Sequence, residues 1–242
     1  DKIKVTMHTK TLLYDEKGEV LTVDEFGKIK YYGKDLKRGD YTDDTILTLA
    51  LAESIVAKRG VDLNDVAKRQ LYEYTSRIQP DGKVTGGFGG TTRKAFKRLM
   101  SGISPIESSV IGGPGNAPAM KMSPFGLYMD AVGFRHGLEC AKLVGKITHL
   151  DPRSVVSGVV QAYAVYQALQ DVSRDEFVSS TFKTCSAWEK PVPSNYPLAS
   201  EGSLTSRLEW ISENKDVEDK IAHQHLGSNS VVLSSYPFAL FM

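Results

Sequence analysis

Cysteine is nearly absent from this chain: only Cys140 and Cys185 occur in 242 residues, far apart and at no metal-ligand spacing. That argues against a disulfide framework and a thiolate metal site, so a reducing, cytoplasmic setting is expected, with both thiols in core or surface positions. Neither sign of charge predominates. The formal net charge of +1 removes any bulk electrostatic case for binding nucleic acid. No apolar run approaches the ~20 residues needed to span a membrane. The opening residues, from Asp1, carry no n-region/h-region pattern. Internal repeats and low-complexity tails are lacking too. What is present is an ordinary apolar content, in a chain long enough to bury a real core.

Residues 1–33 have strand character, and Thr11–Tyr14 and Val20–Val23 around Gly18 suit a short β-hairpin near the N-terminus. After residue 40 the pattern turns helical. Thr42 is placed to cap a helix from Asp43 to about Lys58, ended by Gly60. Its apolar positions run almost all round, which predicts burial on most sides. Asp62 or Asn64 opens a second helix with Val66, Leu71, Tyr74 and Ile78 on one side, stopped at Pro80-Asp81-Gly82. The Gly86–Gly90 loop feeds a basic helix carrying Ala95, Phe96, Leu99 and Met100, and Ser123-Pro124 starts another. Asp151 as cap and Pro152 at the first helical position introduce an interior helix from Ser154 to about Gln170. Residues 191–197 read as an irregular connection before a helix from Leu204 to Ile211. The fold class is mainly α.

Gly39-Asp40-Tyr41-Thr42-Asp43-Asp44-Thr45 runs directly into the apolar segment Ile46–Ala52. Two carboxylates and two hydroxyls at a helix start are the oxygen donors that a hard divalent cation selects. The plainer reading is a cap with dipole-complementing acids, each worth only ~0.3–1 kcal/mol. Two adjacent acids backed by an apolar helix sit near the core, however, and buried charges call for a counter-cation. A second constellation, Gly112-Gly113-Pro114-Gly115-Asn116-Ala117-Pro118-Ala119-Met120-Lys121, would let backbone N–H groups approach an anion. It is neither a Walker A loop nor a dinucleotide fingerprint, and a plain turn is the alternative. His149, just before the interior helix, is a structural histidine or a ligand. His223-Gln224-His225 could bind zinc from an extended segment, though no supporting ligand lies nearby.

Taken in order, Tyr41-Thr42-Asp43-Asp44-Thr45, the Gly86–Gly90 loop before Thr91-Thr92-Arg93, Gly113–Lys121 with Pro124 following, and Thr148-His149-Leu150-Asp151-Pro152 resemble the ADP-ribosylglycohydrolase family. That group includes dinitrogenase-reductase-activating glycohydrolase. The resemblance covers roughly residues 39–242, more weakly after 170. It implies an orthogonally packed all-helical domain with a Mg²⁺ pair beneath a cleft that accepts ADP-ribose. Thr42, Asp43 and Asp44 match the first metal ligands, with Asp43 and Asp44 catalytic. Gly113, Gly115, Asn116 and Met120 match the ligand-binding loop, and His149 the histidine near the cleft. The implied reaction is hydrolytic removal of ADP-ribose from a modified side chain or related adduct.

Two family elements have no counterpart in residues 1–242, which otherwise read as a single domain: the opening Gly-Asp-Ala-Leu-Gly helix and the closing Asp-x-Asp-Thr cluster. Either the sequence is a piece of the natural protein or this member has lost half its metal ligands. Lys121 also stands where the family has arginine, and Ala117-Pro118 should stiffen the loop. The expected partner is ADP-ribose or an ADP-ribosylated protein, with no nucleic acid and no membrane. The alternatives are a catalytically impaired ADP-ribose-binding or structural member, and a metal phosphoesterase using the same acids.

Overall fold

The computed structural model of the chain describes residues 41–242 and, before them, only the backbone of residues 29–31 and 34–36. These belong to two units divided after Asp40. In the first, β1 (Ile29–Tyr31) pairs antiparallel with β2 (Lys34–Leu36), Ile29 opposite Leu36. The hairpin expected around Gly18 lies outside the described residues.

The second unit is built from helices, and its first, α1 (Asp43–Lys58), has the expected bounds. Its burial differs from expectation. Asp43, Ile46, Leu47, Ala50, Leu51, Ser54 and Ile55 are buried, a single stripe at three- and four-residue spacing. Leu49 and Val56 point outward, 51% and 77% exposed. Apolar residues on both faces therefore do not mean burial on both. The end of α1 also departs from expectation: the left-handed residue is Arg59 (φ 50°), and Gly60 follows, its N–H donating to the Ile55 carbonyl.

Asp62 caps α2 (Leu63–Thr75) by accepting N–H bonds from Asn64 and Asp65. Val66, Ala67, Gln70 and Tyr74 form its buried stripe, whereas Ile78 lies past the helix end and bridges to Val84. Phe88 and Phe96, the latter from α3 (Gly90–Met100), stack edge-on against Tyr74 and join Ile46 and Leu47 in one apolar cluster.

After the short α4 (Ala117–Met120) come α5 (Ser123–Val132), α6 (Phe134–Gly145) and α7 (Pro152–Leu169). α7 is the interior element that its caps and valines predict. From Arg153 to Val160 it is buried on every side, Leu169 at its end is 51% exposed, and it packs against α4, α5, α6, α8 (Arg174–Trp188) and α11 (Val232–Phe241). Close approach needs small residues: a Cβ on Gly126 of α5 would stand 2.4 Å from Val165 Cβ on α7. α9 (Leu204–Glu213) and α10 (Asp219–Leu226) complete the second half of the core with Leu208, Ile211 and Leu226.

The irregular connection before α9 is held from inside. Arg153 is fully buried, and its guanidinium donates to both Asp151 oxygens and to the carbonyls of Pro197 and Leu198. Glu189 accepts the N–H groups of Leu204 and Thr205, capping α9 with a carboxylate. Among the described residues, no helix is long and apolar enough to cross a membrane.

Candidate active site

Thr42 occupies the cap position of α1 with extended backbone, but its hydroxyl does not cap the helix; it donates to Asp44 Oδ2 at 2.8 Å. The Asp43 N–H donates instead to the Gly86 carbonyl at 2.7 Å, locking the glycine-rich loop onto the helix start. Asp43 itself is 6% exposed. Burial pushes its carboxyl up to about 7, the adjacent Asp44 adds to that, and N–H groups of residues 43, 44 and Gly89 pull against it. Asp44 is exposed. The expectation that both acids sit near the core is therefore corrected. Successive helix positions are about 100° apart, so turning Asp43 inward turns Asp44 out.

Between the start of α1 and the glycine turn lie Thr48 and the buried side chains of Lys121 and His149, linked by hydrogen bonds at Thr48 and by charge at Lys121. Thr48 Oγ1 lies 2.6 Å from the Asp44 carbonyl and 3.2 Å from the Met120 carbonyl, tying α1 to α4. Lys121, next in sequence, is fully buried, and its ammonium donates to Gln70 Oε1 at 3.3 Å. Burial depresses the Lys121 ammonium to about 7 while the Asp43 charge pulls it back up. Lys121 in turn acts on His149, which burial first and then that positive charge push down to about 3. The imidazole is thus held neutral, its Nδ1 2.9 Å from Thr148 Oγ1.

His149 reaches the glycine turn directly. A Cβ on Gly115 would lie 3.2 Å from His149 Nε2, and a Cβ on Gly112 only 2.4 Å from Thr91 Oγ1 at the start of α3. In the structure these two glycines also have a packing use. Neither has a positive φ, and the Gly115 N–H is already donated to the Gly113 carbonyl at 2.8 Å. They permit close packing, which brings the turn against α3 and His149. The turn is anchored on its other side by Ser154 Oγ, which donates to the Gly115 carbonyl at 2.7 Å. The Val232 N–H donates to the Pro114 carbonyl at 2.7 Å, and the Asn116 amide to Ser235 Oγ at 3.2 Å.

Each residue singled out from sequence is thereby located. Asp43 and His149 are buried; Thr42, Gly115, Asn116 and Met120 are half-buried; Asp44 and Gly113 are exposed. The buried set is linked through Lys121, whereas Gly113 connects only through Gly115. Sequence reasoning missed Gln70, although a polar residue inside the apolar stripe of α2 was a legible signal. His223 and His225 do not form a zinc pair. They lie on a helix, not an extended segment, so their rings diverge: His223 meets Ser228 Oγ and His225 stacks on Trp210. Both cysteines are buried, and burial raises the Cys185 thiol to about 12.

The donor set at the start of α1 suits a hard cation. Thr42 and Asp44 oxygens already converge, and the largely buried Asp43 carboxyl is an acid whose charged form a nearby cation would favour. Among the described residues, no group of three histidine, cysteine or acidic side chains gathers here or elsewhere. Thr42, Asp43 and Asp44 therefore fit part of a ligand shell.

Comparison with known proteins bears on the family and the fold. The ADP-ribosylglycohydrolase family profile matches residues 7–242. ADP-ribosylhydrolase ARH3 of Gallus gallus is 30% identical over 222 residues, covering 83% of this chain and 57% of that protein. The uncharacterized protein YegU of Escherichia coli (strain K12) is 24% identical over 209 residues, covering 84% of this chain and 60% of that protein. A solved structure described as an ADP-ribosylglycohydrolase-related protein complex shares the fold, with a TM-score of 0.61 at 22% identity over 85% of this chain and 60% of that one. The chain thus spans somewhat more than half the length of these relatives.

Proposed function

Since this chain belongs to the ADP-ribosylglycohydrolase family, we propose that it acts in Mg²⁺-dependent hydrolysis that removes ADP-ribose from a modified protein side chain or a related adduct. The observation that supports this reading is that the buried Lys121 feels the charge of Asp43 and acts in turn on His149, whose Nε2 borders Gly115.

Thr42, Asp43 and Asp44 are the residues that would hold Mg²⁺. When bound, the cation supplies a Lewis acid for ribose hydroxyls and water beside the anomeric carbon. Asp44, exposed at the same helix start, presents a carboxylate to positive charge developing at that carbon. His149, neutral at any physiological pH, serves as a fixed hydrogen-bonding wall and not as an acid. Asn116 and the turn from Gly113 to Gly115 contribute the surface for the diphosphate and riboses, with Met120 beneath.

A second reading, an ADP-ribose-binding member without catalysis, is favoured by one observation: among the described residues, Asp43 and Asp44 recruit no third acidic or histidine ligand. Release of ADP-ribose from a modified peptide separates the two. The hydrolytic reading expects Mg²⁺-dependent release that Asp43→Ala abolishes. Binding of ADP-ribose without release in the wild type sinks it in favour of the second.

A further inference from the structure

Helix α3 is a basic element that the proposed chemistry leaves unused. Its eleven residues include Arg93, Lys94, Lys97 and Arg98 and no acid. Arg93, Lys94 and Lys97 are exposed, and three- and four-residue spacing lines them along one ridge. Among the described residues, none of the three forms an ion pair, and on the neighbouring α2 Asp65 pairs with Arg69 and Glu73 with Arg77. Local helix energetics do not explain the ridge. Arg93 and Lys94 stand in the first half of α3, toward the end that the helix dipole makes unfavourable for cations, and its first turn contains no acid to offset them.

The ridge also has a defined origin. The loop just before α3 holds Asp43, through the Gly86 carbonyl and the Gly89 N–H, and Thr91 packs on Gly112. Rising about 1.5 Å per residue, α3 carries its cations from the rim of the candidate site to roughly 12 Å beyond Gly89. About four residues of extended peptide cover that distance.

We propose that the Arg93–Lys94–Lys97 face of α3 is a docking ridge for an acidic protein segment, the flank of the side chain presented to the site. The ridge selects carboxylates placed within about four residues of the modified position. Only the direction of that flank rests on the functional reading above; attraction for an acidic peptide does not.

Fluorescence anisotropy of a labelled, unmodified Glu/Asp-rich 12-residue peptide tests the attraction directly. Wild type is compared with R93Q/K94Q/K97Q and R93E/K94E/K97E, alongside an uncharged peptide and a single-stranded RNA of equal length. The acidic peptide should bind wild type at low salt and lose about tenfold in affinity in the glutamine variant, and more in the reversed one. Raising salt from ~25 to ~250 mM should weaken wild-type binding several-fold. Equal affinity in wild type and both variants, or equal affinity for the uncharged peptide, overturns the proposal. Tighter binding of the RNA overturns the choice of partner. Circular dichroism of the glutamine variant controls for folding, since all three side chains are exposed. In hydrolysis assays, an acidic flank should lower KM without changing kcat, and R93Q/K94Q/K97Q should cancel only that difference. Absence of all hydrolysis would sink the catalytic reading while leaving the anisotropy result standing.

Discussion

Gly112→Ala is the substitution whose consequence can be worked most closely from the structure. An ideal Cβ at residue 112 would lie 2.4 Å from Thr91 Oγ1, 2.9 Å from Thr91 Cγ2 and 3.2 Å from Thr91 Cβ. Ordinary carbon contacts fall near ~3.5–4.0 Å, so three atoms of one side chain are too close together. Turning χ1 of Thr91 cannot move its own Cβ, and Thr91 sits in the first turn of α3, so either that helix start or the turn carrying residue 112 must shift. Overpacking of this kind costs ~1–3 kcal/mol. At this chain size each kcal/mol moves Tm by ~2–4 °C, so a fall of roughly 2–12 °C is expected. Thr91→Ala removes the two nearest atoms, and Gly112→Ala/Thr91→Ala should recover most of the loss, a positive coupling of about 1–2 kcal/mol. Gly113→Ala is the control. Nothing lies within 4 Å of its Cβ and its φ is not positive, so it should be near neutral. Urea or thermal unfolding of the four variants gives the answer. If Gly112→Ala is as mild as Gly113→Ala, or if Thr91→Ala gives no rescue, the turn does not rest on α3 as described.

Arg153→Met should cost about 3–5 kcal/mol in urea unfolding, because it leaves Asp151 buried and uncompensated and strips a donor from the Pro197 and Leu198 carbonyls. Retained stability would mean that the connection before α9 is held by something else. His149 links stability to acid. Its folded pKa, about 3, lies below its unfolded value of about 6.5, so below pH 6.5 the unfolded chain takes up the proton first. Stability should fall as pH drops from 6.5 toward 3 and be unaffected above that window. His149→Gln should flatten this slope, and an unchanged slope would show that the ring is not buried neutral. Neither cysteine should react with a thiol reagent at pH 8 until denaturant is added, since burial raises both thiols. Fast labelling of Cys185 in the native state would contradict its placement in the core.

Local signals proved legible where a cap or a proline announces a helix. Asp62 caps α2 and Asp151 caps α7, with Pro152 in its first turn, as their side chains require. The exposed face of α1 was not legible, because Leu49 and Val56 look like core residues until the position of every neighbour is known. The tail helices escaped for a different reason: Glu218 and Val231 precede α10 and α11 without making any side-chain cap bond. At the site, the acids and the glycine turn could be read as separate motifs. Their connection could not, since it runs from Asp43 on α1 to Lys121, Gln70 on α2 and His149, residues brought together only by tertiary packing.

Calorimetric titration of ADP-ribose into the 242-residue chain, with Mg²⁺ and after its chelation, tests the proposed common site most directly. One-to-one binding that weakens when Mg²⁺ is withdrawn, and weakens again in Asp43→Ala, is the expected result. Undetectable binding in the wild type, or affinity indifferent to both Mg²⁺ and residue 43, would contradict a common site for the acids and the glycine turn.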